Sequence, residues 1–199
     1  MFLLSPVHWE VKKVKGKGLG VFVKKEIEKG TVIGDYLGRI IKIAEYDLKK
    51  DKKGLYLMFL NDEAAIYPDL KKPGTHLLNH SCEPNCWIYP YRGHTLFFAL
   101  RKIEPGEELT ISYLLPPKSK NENSCTHSCK CKSKSCTGTM HMTESKFKIW
   151  RDFQDKKEIK TLNYTFGKNL LKLKKYPKKV PIIFASRIES VLPRLLPLS

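Results

Sequence analysis

Three thiols fall close together in Cys129-Lys130-Cys131-Lys132-Ser133-Lys134-Ser135-Cys136, a C-x-C-x4-C run set among lysines and serines. Thiols crowded in this way suit a soft divalent cation, and tetrahedral zinc takes four such ligands. Cys125, Cys86, Cys82 and His127 are the candidates for the fourth position, with Cys125 nearest along the chain. Lys130, Lys132 and Lys134, with Lys120 upstream, favour the thiolate form that a metal binds. A disulfide knot or free thiols are the competing readings. Met1-Phe2-Leu3-Leu4 is too short for a signal-peptide core and has no basic flank. A reducing compartment is therefore expected, where crowded cysteines read as metal ligands before disulfides.

A second concentration of reactive residue types is Leu77-Leu78-Asn79-His80-Ser81-Cys82-Glu83-Pro84-Asn85-Cys86. Asn, Ser and Pro shape turns, and the two leucines anchor the bend in a core. A third is Val14-Lys15-Gly16-Lys17-Gly18-Leu19-Gly20-Val21-Phe22-Val23. Alternate glycines allow close backbone approach to a ligand. The spacing matches no phosphate-binding loop and no helix follows, so on its own the stretch reads as a plain hairpin.

The elements that position these stretches are short. Thr31–Ile43 reads as a strand, with Gly34 and Gly38 marking bulges or close backbone approach. Ala44–Lys53 reads as a short polar helix or loop, and Leu55–Leu60 as a buried strand from its continuous apolar run. Ala64–Tyr67 forms another strand. Cys86–Tyr89 and Thr95–Leu100 pair around a turn at Tyr91–His94, and Leu109–Tyr113 is a β-rich run. Pro116–Asn123 is a linker. Beyond Met142, helical spacing occurs in patches, at Phe147, Trp150 and Phe153 and again at Leu170, Leu171 and Leu173. The fold class expected is mainly β, with a basic, helical C-terminal extension. Three parts follow: 1–115, a linker and cysteine loop at 116–141, and the extension at 142–199.

The chain has 199 residues and 41% hydrophobic content, enough for a core. It carries 37 Lys and Arg against 20 Asp and Glu, a formal charge of +17. Between Ser145 and Ser199 there are 14 basic and four acidic residues, so this tail holds +10 of that charge. Polyanionic partners are favoured, DNA or the nucleosome among them, or an anionic membrane surface. No uncharged apolar run is long enough to cross a bilayer, so no membrane role is expected.

Four separated features occur in a fixed order: Gly18-Leu-Gly20-Val-Phe22, Tyr36-Leu-Gly38, Asn79-His80-Ser81-Cys82-Glu-Pro84-Asn85, and Gly106-Glu107-Glu108-Leu109-Thr110-Ile111-Ser112-Tyr113. Together they resemble the SET-domain protein lysine methyltransferases, and the trailing C-x-C-x4-C is similar to their post-SET cysteine motif. The resemblance covers about Val11 to Gly138. It implies a SET-like fold of small sheets with a pseudoknot-like threading. It implies that Lys17, Gly18 and Leu19 bind S-adenosyl-L-methionine through the backbone, together with Asn79 and His80. It implies Tyr113 as the catalytic tyrosine and Tyr36 as a second channel tyrosine. It also implies Cys82 as the fourth zinc ligand, with Cys129, Cys131 and Cys136, which leaves Cys86 and Cys125 spare. The chain departs from the family where His76-Leu77 replaces Arg-Phe, Tyr67-Pro68 replaces Asp-Ala, and Ile111-Ser112-Tyr113 replaces Phe-Asp-Tyr.

The function implied is methyl transfer from S-adenosyl-L-methionine to a protein lysine, a histone by family habit. Such a protein works in the nucleus on chromatin, whether native to that cell or a bacterial protein delivered to a host nucleus. The alternatives are a non-catalytic module that binds chromatin or nucleic acid, and a methyltransferase of a non-histone basic protein. A +17 enzyme repels a free basic peptide, so the acids Asp62, Glu63, Glu104 and Glu107 are expected to face the substrate.

Overall fold

The computed structural model of the protein describes residues 1–46, 56–118, 127–153 and 165–196. In chain order the strands are β1 (Trp9–Val14), β2 (Gly18–Val23), β3 (Val32–Asp35), β4 (Gly38–Lys42), β5 (Met58–Phe59) and β6 (Ala64–Pro68). Next come β7 (Asn79–His80), β8 (Cys86–Tyr91), β9 (His94–Ala99) and β10 (Thr110–Ile111). The helices are α1 (Glu144–Phe153) and α2 (Ile182–Leu195). Four small sheets result: β1-β2, β10-β7, β3-β9-β8 and β4-β6-β5. All pairings are antiparallel except β7 with β10. The architecture is the mainly-β fold expected; among the described residues the two α-helices lie in the C-terminal part, and short 3-10 turns occur at Pro6–His8, Ile43–Glu45 and Thr75–Leu77.

The β8-β9 hairpin turns on Arg92-Gly93, both left-handed at φ 49° and 79°, as a tight two-residue turn requires. In β9, Leu96, Phe97, Phe98 and Ala99 are all buried. A strand apolar on both faces needs cover on both. Phe97, Ala99, Ile33 and Cys86 face the main core, with Val21, Ile66, Leu78 and Leu109. Val32, Trp87, Leu96 and Phe98 face the other way, and there the C-terminal part supplies the cover.

That cover comes from three segments. Trp150 of α1 meets Trp87 edge-on with ring centroids 6.0 Å apart. Phe184, Ala185, Ile188, Val191, Leu192 and Leu195 make one helical face of α2 and all join this second cluster. Between them, residues 168–180 run beside residues 30–40. Ile40 N–H donates to Lys168 O (2.9 Å), Leu170 N–H to Gly38 O (2.8 Å), Val32 N–H to Lys178 O (2.9 Å) and Val180 N–H to Gly30 O (2.9 Å). The basic extension is thus docked on the sheet.

Three local expectations are corrected. Thr31–Ile43 is two strands in different sheets, broken at Tyr36-Leu37, with the register shifting at Gly34. Gly38 sits so close to β6 that a Cβ would lie 2.1 Å from Tyr67 O. The described part of the apolar run at 55–60 is an edge rather than a buried strand: among residues 56–60 only Met58–Phe59 pairs, and Phe59 is 53% exposed. Leu170–Leu173 is not helical: Leu170 N–H bonds to Gly38 O at the edge of β4, and Leu171 is left 82% exposed. Cys125, Lys120 and most of the 44–53 stretch lie outside the described residues.

Ile188 is 2% exposed in the second cluster. Ile188→Ala is expected to cost about 2–5 kcal/mol in urea unfolding of the full chain, as buried large-to-small changes do. A loss below about 0.5 kcal/mol would mean that α2 does not dock there.

Candidate active site and metal centre

The site grows from the parallel pairing of β7 with β10, in register Thr110 with Asn79 and Ile111 with His80. Ser81 N–H extends the ladder to Ile111 O (2.9 Å). Two residues of ladder hold little by themselves, and Asn85 reinforces them. Its amide donates to Glu108 O (2.9 Å), and its carbonyl oxygen accepts from Thr110 N–H (2.9 Å). At 3% exposure, Asn85 satisfies buried backbone groups that would otherwise destabilise the junction. The motif's asparagine at this position is a clamp.

Glu108 then ties the glycine-rich hairpin to the Asn-His pair. Its carboxylate accepts from Lys17 Nζ (2.7 Å) on one oxygen and Asn79 Nδ2 (2.7 Å) on the other. Asn79 Nδ2 also donates to Leu19 O (2.9 Å). The Lys17 and Glu108 side chains are only 14% and 16% exposed, so this ion pair is weakly screened. Gly20 makes the approach possible, because a Cβ there would lie 2.6 Å from Glu108 Oε1 and 2.9 Å from Asn79 Nδ2. Gly18, at φ 86°, has open space where a Cβ would stand, and Leu19 is 44% exposed beside it. The backbone at Gly18-Leu19 is therefore open to a ligand. Four of the five residues expected at the cofactor (Lys17, Leu19, Asn79 and, next along β7, His80) are linked directly or through Glu108.

His80 joins three parts of the site. Tyr113 N–H donates to His80 Nδ1 (3.2 Å), which leaves the ring proton on Nε2, 3.6 Å from Cys82 Sγ. Burial, with Lys17 nearby, holds the ring's pKa down to about 4, so it is neutral at neutral pH. The rings of His80 and Tyr113 stand edge to face, centroids 5.3 Å apart. Tyr113 donates to Leu78 O (3.4 Å), and burial, then Tyr56, pushes its hydroxyl up to about 12. Tyr36, 4% exposed, donates to the Tyr56 carbonyl. Burial raises its pKa far above the usual tyrosine range, Tyr113 and Tyr56 adding to the effect. Buried Tyr36 and half-buried Tyr113 are thereby kept as neutral phenols, and the Tyr56 carbonyl joins Tyr36 into one tyrosine group with them.

Cys82, Cys129, Cys131 and Cys136 bring their sulfurs within 4.8 Å of one another. Tetrahedral ligands at about 2.3 Å from zinc lie about 3.8 Å apart, and Cys82 Sγ stands 3.7 Å from Cys129 Sγ. The donor set fits a structural zinc ion. Burial opposes ionisation of Cys131, yet hydrogen bonds from the Cys82 backbone and from Ser133 bring its thiol down to about 6. Glu83 holds the cysteine loop against the turn by accepting from Ser135 N–H (3.0 Å) and its hydroxyl. His127 lies outside the group, 3.1 Å from His141. Cys86 is buried in the core, its thiol donating to Asn85 Oδ1 (3.3 Å), and burial raises its pKa.

Two of the acids expected to face the substrate are held in ion pairs with neighbouring basic side chains. Glu107 accepts from both Arg101 amino groups, and Glu104 pairs with Lys102 (3.1 Å). Asp62 and Glu63 stand exposed in the β5-β6 turn. Sequence reasoning passed over Glu108 and Tyr56. Glu108 sat inside a quoted motif as an acid flanking an apolar run, a usable signal; Tyr56 was hidden in the run taken as a strand.

A mainly-β domain of small sheets, in which a short parallel ladder seats an Asn-His pair against a tyrosine, defines the SET class. Residues 18–114 match a profile described as the SET domain. The chain is 32% identical over 128 residues to histone-lysine N-methyltransferase trithorax of Drosophila virilis, covering 60% of this chain and 3% of that protein. It is 33% identical over 141 residues to the variant-silencing SET domain-containing protein of Plasmodium falciparum (isolate 3D7), covering 64% and 5%. It is 35% identical over 109 residues to histone-lysine N-methyltransferase TRX1 of Oryza sativa subsp. japonica, covering 48% and 10%. The chain thus spans a tenth or less of the length of these relatives.

Two outcomes are expected. Protein purified without chelator should hold about one zinc per chain, and Cys82→Ser should lower that content; a ratio near zero in the parent would refute the centre. Glu108→Ala should weaken S-adenosyl-L-methionine binding in calorimetry while leaving the zinc content unchanged. Unaltered affinity would show that the clamp does not position the hairpin.

Proposed function

We propose that the protein transfers a methyl group from S-adenosyl-L-methionine to the ε-amine of a protein lysine, a histone lysine by the kind of relative it matches. The observation that carries this is the seating of Tyr113 on His80, within the same buried group as Tyr36, inside a SET domain. The cosubstrate supplies the methyl group on a sulfonium. Gly18 offers it open space between Lys17 and Leu19, and Asn79 and His80 are set beside them by the Glu108 clamp and the β7-β10 ladder.

The chain's own task is to prepare the amine. A lysine with pKa about 10.4 costs about 4.6 kcal/mol to neutralise at pH 7. A buried aromatic site disfavours the ammonium and lowers that cost. Tyr36 and Tyr113, held as neutral phenols by burial, offer oxygen atoms that accept from the amine and aim its lone pair. Positioning of this kind supplies most of the rate in an in-line transfer between two bound partners. The four thiols, holding zinc, would fasten residues 129–136 to the Cys82 turn, next to His80. In this reading residues 1–115 are catalytic, 116–141 hold the metal loop, and 142–199 are the basic extension. The place of work is the nucleus, on chromatin. No helix among the described residues is long and apolar enough to cross a membrane.

The test is incubation of the full chain with labelled S-adenosyl-L-methionine and core histones, the product read by mass spectrometry. Methylated lysine is expected from the parent, and Tyr113→Phe should lose about 100-fold in kcat with cosubstrate affinity kept. Parent protein that binds the cosubstrate yet methylates neither histones nor another basic protein would leave the non-catalytic module as the reading.

A further inference from the structure

The basic extension is more than a charged tail, because its lysines are held in place. Between Glu158 and Glu189 the chain has no acidic residue. Lys168, Lys172, Lys174, Lys175, Lys178 and Lys179 are all exposed. None of the six forms an ion pair among the described residues. The backbone carrying them is pinned at both ends by the bonds to Gly38, Ile40, Gly30 and Val32 described above. It is pinned in the middle as well: Tyr176 donates to Asp35 Oδ2 (2.8 Å), and Leu173 N–H donates to the Tyr176 hydroxyl (3.2 Å). Asp35 is fully buried and bonded on the same oxygen to His94 Nδ1 (2.7 Å), so this anchor is part of the core.

We propose that this strap, Lys168 to Lys179, is a duplex DNA-binding surface that grips the phosphate backbone. Six uncompensated lysines on a preordered segment neutralise phosphates without first losing backbone entropy. Twelve residues reach at most about 36 Å, which fits along about one turn of B-form DNA. Lysines on an extended strap act as point charges, so the grip is sequence-independent. Its position gives it a use, on the reading that the chain methylates histones. The strap lies alongside residues 30–40, the stretch that carries Tyr36, so DNA held there lies beside the proposed catalytic site. The exposed Leu171, Ile182 and Ile183 make an anionic lipid surface the rival occupant.

The experiment measures anisotropy of a labelled random-sequence duplex with the full chain, without cosubstrate, between 50 and 200 mM salt. Because no methyl transfer is involved, its failure is separate from failure of the proposed activity. Six phosphate contacts give a slope of log affinity on log salt of about −5, and each lysine lost removes about 0.9. The strap variant K172Q/K174Q/K175Q should bind at least about tenfold more weakly, with the slope reduced by about 3. A control of equal charge, K24Q/K25Q/K71Q, should leave the slope within about one of the parent. Equal losses in both variants, or a strap variant that keeps DNA affinity, would overturn the proposal. A strap variant that loses only binding to phosphatidylserine vesicles would assign the strap to a membrane surface and overturn it as well.

Discussion

The structure depends on a junction that is almost too short to exist. Strands β7 and β10 pair over two residues, and a few backbone hydrogen bonds contribute only about 0.5–1.5 kcal/mol each. Side chains that complete the junction's polar groups sustain it. Asn85 serves two backbone groups of the 108–110 segment, His80 takes the Tyr113 N–H, and Glu108 accepts from both Asn79 and Lys17. Removing any one partner leaves a buried donor or acceptor unmet, which costs more than the bond gained. The same few residues that bring chain segments together are the ones proposed to bear the chemistry. Fold and site therefore share one hydrogen-bonded network, and Cys82, two residues from His80, extends it to the four thiols.

A second constraint is the two-faced β3-β9-β8 sheet. One face closes the main core, and the other would leave Val32, Trp87, Leu96 and Phe98 in water without the C-terminal segments. Burying such side chains contributes about 1.5–3 kcal/mol each, so docking the extension is favourable despite its positive charge. Where the extension crosses β3, polar groups meet in the core. Asp35 accepts from Tyr176 and faces His94, and burial followed by the Asp35 bond pushes the Tyr176 hydroxyl up to about 12. A buried charge cluster of this kind adds little net stability but penalises loss of any partner, so it fixes the strap's register.

What could be read from the sequence follows from how local each signal is. The Asn79–Cys86 turn, the glycine hairpin and the cysteine run announce themselves through residue types whose chemistry needs no neighbours. Their order along the chain then identified the SET region. Cys82 as a partner of the distant cysteines came from resemblance, since Cys125 was nearer along the chain. Glu108 offered only its place beside an apolar run, because the partners that make it a clamp lie 91 and 29 positions away. The run at 55–60 and the leucines at 170–173 misled for one reason: an apolar stretch reports that something is covered, and tertiary context decides what covers it. The docking of the extension could have been suspected from β9, whose unbroken apolar run asks for a layer on each face.

Charge is the remaining tension, since a protein of +17 repels the basic peptide it is proposed to modify. Three of the acids near the site are engaged at home: Glu104 and Glu107 with Lys102 and Arg101, and Glu108 with Lys17. Two physical facts ease the conflict. At physiological salt, screening acts over about 8 Å, so exposed lysines matter only to groups that come near them. In the proposed reaction the tyrosine group meets its ligand at contact range, where burial and geometry outweigh the distant field. A phosphate backbone lying on the strap would go further and reverse the sign of the local field. On that footing the basic extension opposes a free peptide and favours a peptide that arrives attached to DNA, which makes its charge a selector between the two forms of the same substrate.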